Sequence, residues 1–105
     1  MGLLLLMGGS KPVILVQPQD ATKAVGETAT FSVTARDAKS YQWLSSSDGV
    51  SFEQLPEATS TSYTTGTLSE SDNGLRLVVW VTNGYGTAVS RTALLTVTGQ
   101  GGLPE

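Results

Sequence analysis

Nine carboxylates, with no histidine and no cysteine, bound what this 105-residue chain can do chemically. Asp20, Glu27, Asp37, Asp48, Glu53, Glu57, Glu70, Asp72 and Glu105 are spread along the sequence, most of them in segments that read as turns. Two carboxyl groups facing each other across a cleft can hydrolyse a glycosidic bond, but no spacing here pairs any two in a cleft. The plainer reading is solvated turn carboxylates. Glu70, Asp72 and Asn73 offer the oxygen ligands that Ca2+ takes, without the spacing of an EF-hand loop. One short oxygen-rich turn is weak evidence for such a site, and a turn that merely caps the corner is the plainer account. Ser45, Ser46 and Ser47 have no base motif beside them, and no G-x-S-x-G is present. Gly84 and Gly86 sit in a hairpin pattern rather than ahead of a helix, so they make no phosphate loop. Without cysteine or histidine there are no disulfides, thiol nucleophiles, thiolate metal sites or imidazole acid–base pairs. The chain reads as a non-enzyme with no catalytic residue, no metal site and no cofactor.

Partners are bounded next. The net charge is -3, and the basic residues Lys11, Lys23, Arg36, Lys39, Arg76 and Arg91 are dispersed. That argues against a nucleic-acid track. No run of 18 apolar residues offers a membrane span. Asn73 and Asn83 are each followed by Gly and an apolar or aromatic residue, so no N-glycosylation acceptor exists. The stretch Ala58–Ser62 suits either O-linked sugars or the wet face of a strand. An apolar content of 39% is enough to build one core.

The elements that must position these residues are strands. No window sustains the apolar spacing of a helix. Ala29, Phe31, Val33 and Ala35 fall on one parity, with Thr28, Thr30, Ser32 and Thr34 on the other. That pattern predicts a strand with one buried face. Leu75, Leu77, Val79 and Val81 predict a second over 74–82, and Ala93, Leu95 and Val97 a third over 87–98. Shorter candidates are Val13–Gln17, Ser40–Leu44, Ser51–Gln54 and Ser62–Thr65. Turn signals lie at 24–27, 36–39, 71–74 and 83–86, and Ser47-Asp48-Gly49 reads as a tight hairpin. Short strands with turns at this spacing predict an all-β antiparallel sandwich or barrel.

Three segments together carry a family resemblance. They are Gln17-Pro18-Gln19 with Val25-Gly26-Glu27-Thr28-Ala29-Thr30-Phe31-Ser32-Val33, then Ser40-Tyr41-Gln42-Trp43, then Asp72-Asn73-Gly74 with Asn83-Gly84-Tyr85-Gly86. In this order they resemble a cysteine-free immunoglobulin-like domain of the bacterial and phage surface-protein type. The resemblance implies an immunoglobulin-like β-sandwich of about seven strands over residues 12–98, without a disulfide. It places Val33 and Val79 where antibody domains carry their inter-sheet cystine, and it packs Trp43 against both. Phe31, Val33, Trp43, Leu77, Val79 and Leu95 are then the structural core. One departure stands out: the position of the corner tyrosine is held by Leu77, so a hydroxyl-to-backbone bond cannot form there. Residues 1–11 are read as an apolar arm with a flexible Gly-Gly-Ser joint, and 99–105 as a Gly-rich tail.

Two features go beyond a plain sandwich module. If Trp43, Val79 and Leu95 point inward, then Leu44, Val78, Trp80 and Leu94 point outward. Such a cluster predicts an interface, with Trp80 as its anchor. The second feature is the leucine-rich start, Leu3, Leu4, Leu5, Leu6 and Met7, followed by Pro12-Val13-Ile14-Leu15-Val16, a run apolar on both faces as if covered on both sides. The start lacks a basic region and a small-residue cleavage site, so it makes a poor signal peptide. It suits a leader remnant or expression scar, a strand on its own domain, or an arm that reaches a neighbouring subunit.

The sequence therefore predicts a structural, self-associating module of an extracellular surface, filament or virion. Its partner would be a second copy of the chain, arranged as a homo-oligomer or a head-to-tail filament. The alternative is an adhesin or carbohydrate-binding module of a larger surface protein, whose partner is a glycan or surface protein. There Trp80, Tyr85 and Tyr63 would stack on sugar rings.

Overall fold

The computed structural model describes residues 9–99. Leu3, Leu4, Leu5, Leu6 and Met7 lie outside the described residues, as does the tail beyond Gly99. Ten strands follow in order: β1 (Val13–Val16), β2 (Ala21–Ala24), β3 (Thr30–Ser32), β4 (Thr34–Arg36), β5 (Ser40–Ser46), β6 (Glu53–Gln54), β7 (Ser62–Thr64), β8 (Arg76–Asn83), β9 (Gly86–Val89) and β10 (Ala93–Thr98). A 3-10 turn, Glu70–Asp72, precedes β8. The larger layer runs β2–β10–β8–β5–β6, with β9 also on β8, and the pairs β1–β4 and β3–β7 form the smaller layer.

Three of the ten strands are additions to the seven runs read from the alternation. The run through Phe31 divides at Val33, because β3 pairs with β7 while β4 pairs with β1. The last run divides at residues 90–92, where it bulges away from β8. The strand β2 was not foreseen. It runs parallel to β10, with Ala21 beside Leu95 and Ala24 beside Thr98, and every other pairing is antiparallel. Pro18 is fully buried between β1 and β2, where the chain crosses from the smaller layer to the larger.

Alternation explains the core. Phe31, Val33, Trp43, Leu77, Val79 and Leu95 are all buried, in one cluster with Ala29, Val81, Ala93 and Val97. Trp43 and Val79 face each other in register. The indole Nε1 of Trp43 donates to the carbonyl of Ser60 at 2.9 Å, so the polar atom of the largest core side chain is paired. Val33 and Val79, as buried valines, each contribute about 1.5–3 kcal/mol of burial.

The corner at 70–77 has its own solution in place of a tyrosine. Ser69 N–H donates to Asp72 Oδ2 at 2.8 Å, and Asn73 Oδ1 accepts the N–H of Val97 at 2.8 Å. These two bonds tie the 3-10 turn to itself and to β10. They engage one carboxylate oxygen of Asp72 and the side-chain oxygen of Asn73 in holding the corner.

The run Val13–Val16 corrects an expectation. It is not covered on both faces: Val13, Leu15 and Val16 are exposed, and only Ile14 packs against the core. The strand lies at the margin of the smaller layer, and its register on β4 slips between Ile14 and Val16. An edge strand with an irregular register buries one side chain rather than four.

Candidate interaction surface

The outer face of the larger layer is set by register. Leu44 lies opposite Val78, Gln42 opposite Trp80, and Val89 opposite Trp80 on the other side. All five therefore share the face that points away from the core. Their exposure differs, however. Leu44 and Val78 are 3% and 8% exposed, whereas Trp80 and Leu94 are each 36% exposed and Val89 is 58% exposed.

The turn between β5 and β6 accounts for part of this difference. It is not the tight hairpin read from Ser47-Asp48-Gly49 but a loop over 47–52, organised by one carboxylate. Asp48 Oδ1 accepts from Ser46 Oγ (2.9 Å), Val50 N (2.8 Å) and Ser51 N (3.0 Å). Those backbone and hydroxyl donors lower its pKa to about 2. Ser46 Oγ in turn accepts the N–H of Gly49 at 2.8 Å, and Gly49 takes a positive φ of 79°. The loop so folded brings half-buried Phe52 to the same face as Leu44. Leu44, Phe52, Val78, Trp80 and Val89 line a groove of about 640 Å³, together with the polar Glu53, Gln54, Ser90 and Thr92.

The last strand is bulged beside the groove. Ser90 is opposite Val79 and Ala93 opposite Leu77, so two residues of that strand face one of β8. Ser90 is buried there. Its Oγ accepts the N–H of Val79 at 2.9 Å and donates to the carbonyl of Arg91 at 2.8 Å. The crossing segment between β1 and β2 braces the bulge from outside. Gln17 Oε1 accepts the N–H of Arg91 at 2.8 Å, and Asp20 Oδ1 accepts that of Leu94 at 2.9 Å.

Of the expected face, Leu44, Val78 and Trp80 come together in the groove. Leu94 does not line it; it lies opposite Arg76, beyond the bulge. Phe52 and Val89 were missed. Val89 was legible, because a two-residue turn at Gly84–Tyr85 fixes it opposite Trp80. Phe52 depends on the Asp48 bonds, which leave no periodic trace in sequence.

The second candidate region is the pole formed by the β8–β9 turn. The ring of Tyr85 abuts Gly9 so closely that a Cβ there would overlap it. The side chain of Lys11 lies over Gly86 in the same way. Asn83 Nδ2 donates to the carbonyls of Ser10 and Asp37, at 2.9 Å each. The expected flexible joint is thus docked at Gly9 and Ser10. The aromatics of a sugar platform do not gather: Trp80 is on the outer face, Tyr85 at the pole, and Tyr63 half-buried opposite Phe31 in the smaller layer. Among the described residues no group of three acidic side chains could hold a metal ion, and no helix is long and apolar enough to cross a membrane.

Comparison with known proteins agrees with this architecture. A chimeric titin Z1Z2 structure superposes with a TM-score of 0.67 at 23% identity, covering 87% of this chain and 97% of that one. Tandem Ig repeats of Dlar give 0.68 at 18% identity, covering 85% of this chain and 49% of that one. Sidekick-1 immunoglobulin domains 1-5 give 0.65 at 18% identity, covering 87% and 20% respectively. The chain thus spans a fifth of the Sidekick-1 structure and about half of the Dlar structure. At these identities the likeness establishes the fold: an immunoglobulin-like β-sandwich, here without a disulfide. No curated protein matches the sequence. A family model described as a domain of unknown function (DUF8696) matches residues 16–99.

Proposed function

The chain belongs to the DUF8696 family, and for this member we propose a non-enzymatic structural role: a self-associating module of an extracellular surface, a filament or a virion. Its partner is a second copy of the chain, and its N-terminal apolar arm docks onto a neighbouring subunit. The observation that carries this reading is the groove on the outer face. A solvated sheet face ordinarily presents polar side chains there, yet Leu44, Phe52, Val78, Trp80 and Val89 converge. A concave apolar site beside a half-exposed tryptophan is the anatomy of a contact surface. The leucine run Leu3–Leu6 provides an apolar segment of the matching kind in the same polypeptide. The resemblance to cysteine-free surface modules supports the surface setting.

Sedimentation velocity of the full chain over a rising concentration series tests the reading, with negative-stain microscopy of the associated fraction. Wild type is expected to associate. Trp80→Glu, and separately Leu4→Asp with Leu5→Asp, are expected to remain monomeric with unchanged far-UV circular dichroism. A wild-type chain that stays monomeric at the highest concentration overturns the proposal.

A further inference from the structure

We propose that the groove is the seat of the leucine run, that each chain's run first fills its own groove, and that assembly proceeds by exchanging the run between copies. This deepens the self-association reading and rests on it. The groove opens within reach of the place where the described chain begins.

Gly9 is fixed against Tyr85 at the turn joining β8 to β9, and Ser10 is tied to Asn83. From that turn, Trp80 is three residues back along β8 from Asn83, and Val89 is three residues forward along β9 from Gly86. At the rise of a strand, this cross-strand pair stands about 10 Å from the turn. Val78, with Leu44 opposite it, is about 17 Å away. On the other side of the joint, Leu6 precedes Gly9 by three residues and Leu3 by six. An extended chain carries them about 10 and 20 Å from the joint. The four leucines therefore span the depths at which the groove is apolar.

The chemistry agrees. Met1 to Ser10 contain no charged side chain, and the groove lining holds one, Glu53. Gly8 and Gly9 provide the backbone freedom to reverse direction at the joint.

A tether this short gives the run an effective concentration on the order of millimolar at its own groove. In dilute solution closure onto the same chain wins. The identical groove of a neighbour offers identical contacts, so exchange requires no second interface. Exchange takes over when copies are crowded to comparable concentration, as on a surface or along a fibre.

The chain lacks cysteine, so a disulfide pair reads the contact directly. Leu5→Cys with Val89→Cys is oxidised in a glutathione buffer at micromolar and near-millimolar protein. The reference pair is Leu5→Cys with Val50→Cys, since Val50 is 82% exposed and off the groove. The expected result is an intrachain bond when dilute and an interchain bond when concentrated, both formed faster than in the reference. Interchain bonds at every concentration overturn exchange and leave self-association standing. Intrachain bonds at every concentration, in a chain that sediments as a monomer, overturn both. No preference over the reference pair overturns the groove as the seat.

A second readout needs no cysteine. Trp43 is 0% exposed, so acrylamide quenching reports Trp80. In dilute solution the full-length Leu4→Asp, Leu5→Asp variant is expected to lose protection of Trp80 relative to wild type. Equal quenching in the two overturns the proposal.

Discussion

The hydroxyl of Ser90 stands in for a missing main-chain carbonyl: its Oγ accepts the N–H of Val79 at 2.9 Å, in the middle of the most buried strand. The bulge would otherwise strand that N–H in the core. Ser90→Ala is expected to destabilise the fold by about 1–3 kcal/mol, the cost of leaving a buried donor unpaired. Urea denaturation measures it. A change near zero would mean that the strand closes over the gap by itself.

The carboxylate of Asp48 gives the loop over 47–52 a pH dependence of definite sign. Its pKa is lowered in the fold from 3.8 to about 2 by bonds from Ser51, Val50 and Ser46. The native state therefore binds this proton more weakly than the unfolded state does. The contribution is fully present above pH 3.8 and is lost as the pH falls through about 2. Carboxyl carbon shifts should titrate with a midpoint near the lowered value. Asp48→Asn should remove this part of the acid-side slope, and an unaltered slope between pH 4 and 2 would contradict the assignment.

Asn83 is expected to hold the start of the described chain in place. Asn83→Ala removes the donors to the carbonyls of Ser10 and Asp37 and the acceptor for the N–H of Tyr85. Hydrogen exchange should then accelerate at Ser10, Lys11 and Tyr85 while the core amides of β8 keep their protection. Uniform acceleration across β8 would instead point to global destabilisation.

The corner at Asn73 and Leu77 separates two ways of building this turn. Asn73→Ala loses the acceptor for Val97 N–H and is expected to cost about 1 kcal/mol. Leu77→Tyr, which installs the tyrosine of related folds, is expected to cost about 1–3 kcal/mol rather than help. Leu77 is fully buried, and a larger ring put into a packed core forces its neighbours apart. Chemical denaturation of both variants checks the pair, and a stabilised Leu77→Tyr would refute this packing argument.

What was legible in the sequence was what parity controls. Phe31, Trp43, Leu77, Val79 and Leu95 fall inward, and Leu44, Val78 and Trp80 outward, because side chains on a strand alternate. The bulge at Ser90 left no trace in that alternation: Val89 and Ala93 are both apolar and of one parity, yet in the structure Val89 is exposed while Ala93 is buried. Unbroken alternation would put both on one face, so a residue must be inserted between them. The strand Ala21–Ala24 left no trace either. Its residues show no apolar alternation, and it forms because its backbone finds the open edge of β10. Phe52 reached the groove through the loop bonds of Asp48, and Gly9 reached Tyr85 across more than 70 positions. Contacts of both kinds are set by three-dimensional placement, which local pattern does not encode.

The parallel pairing of β2 with β10 has a mechanical meaning. The described chain begins at the pole of Asn83 and Tyr85 and leaves β10 at Thr98, beside Val25. These two poles lie beyond opposite ends of β8. Tension between them pulls β2 and β10 past each other along their length. The ladder from Ala21–Leu95 to Ala24–Thr98, extended by Val25 N–H on the Thr98 carbonyl at 3.2 Å, is then loaded in shear, with all its bonds sharing the force at once. An antiparallel pair pulled from one end would peel one bond at a time. In a sandwich without a disulfide, the seam that such a pull would load first to last together is made of main-chain bonds alone.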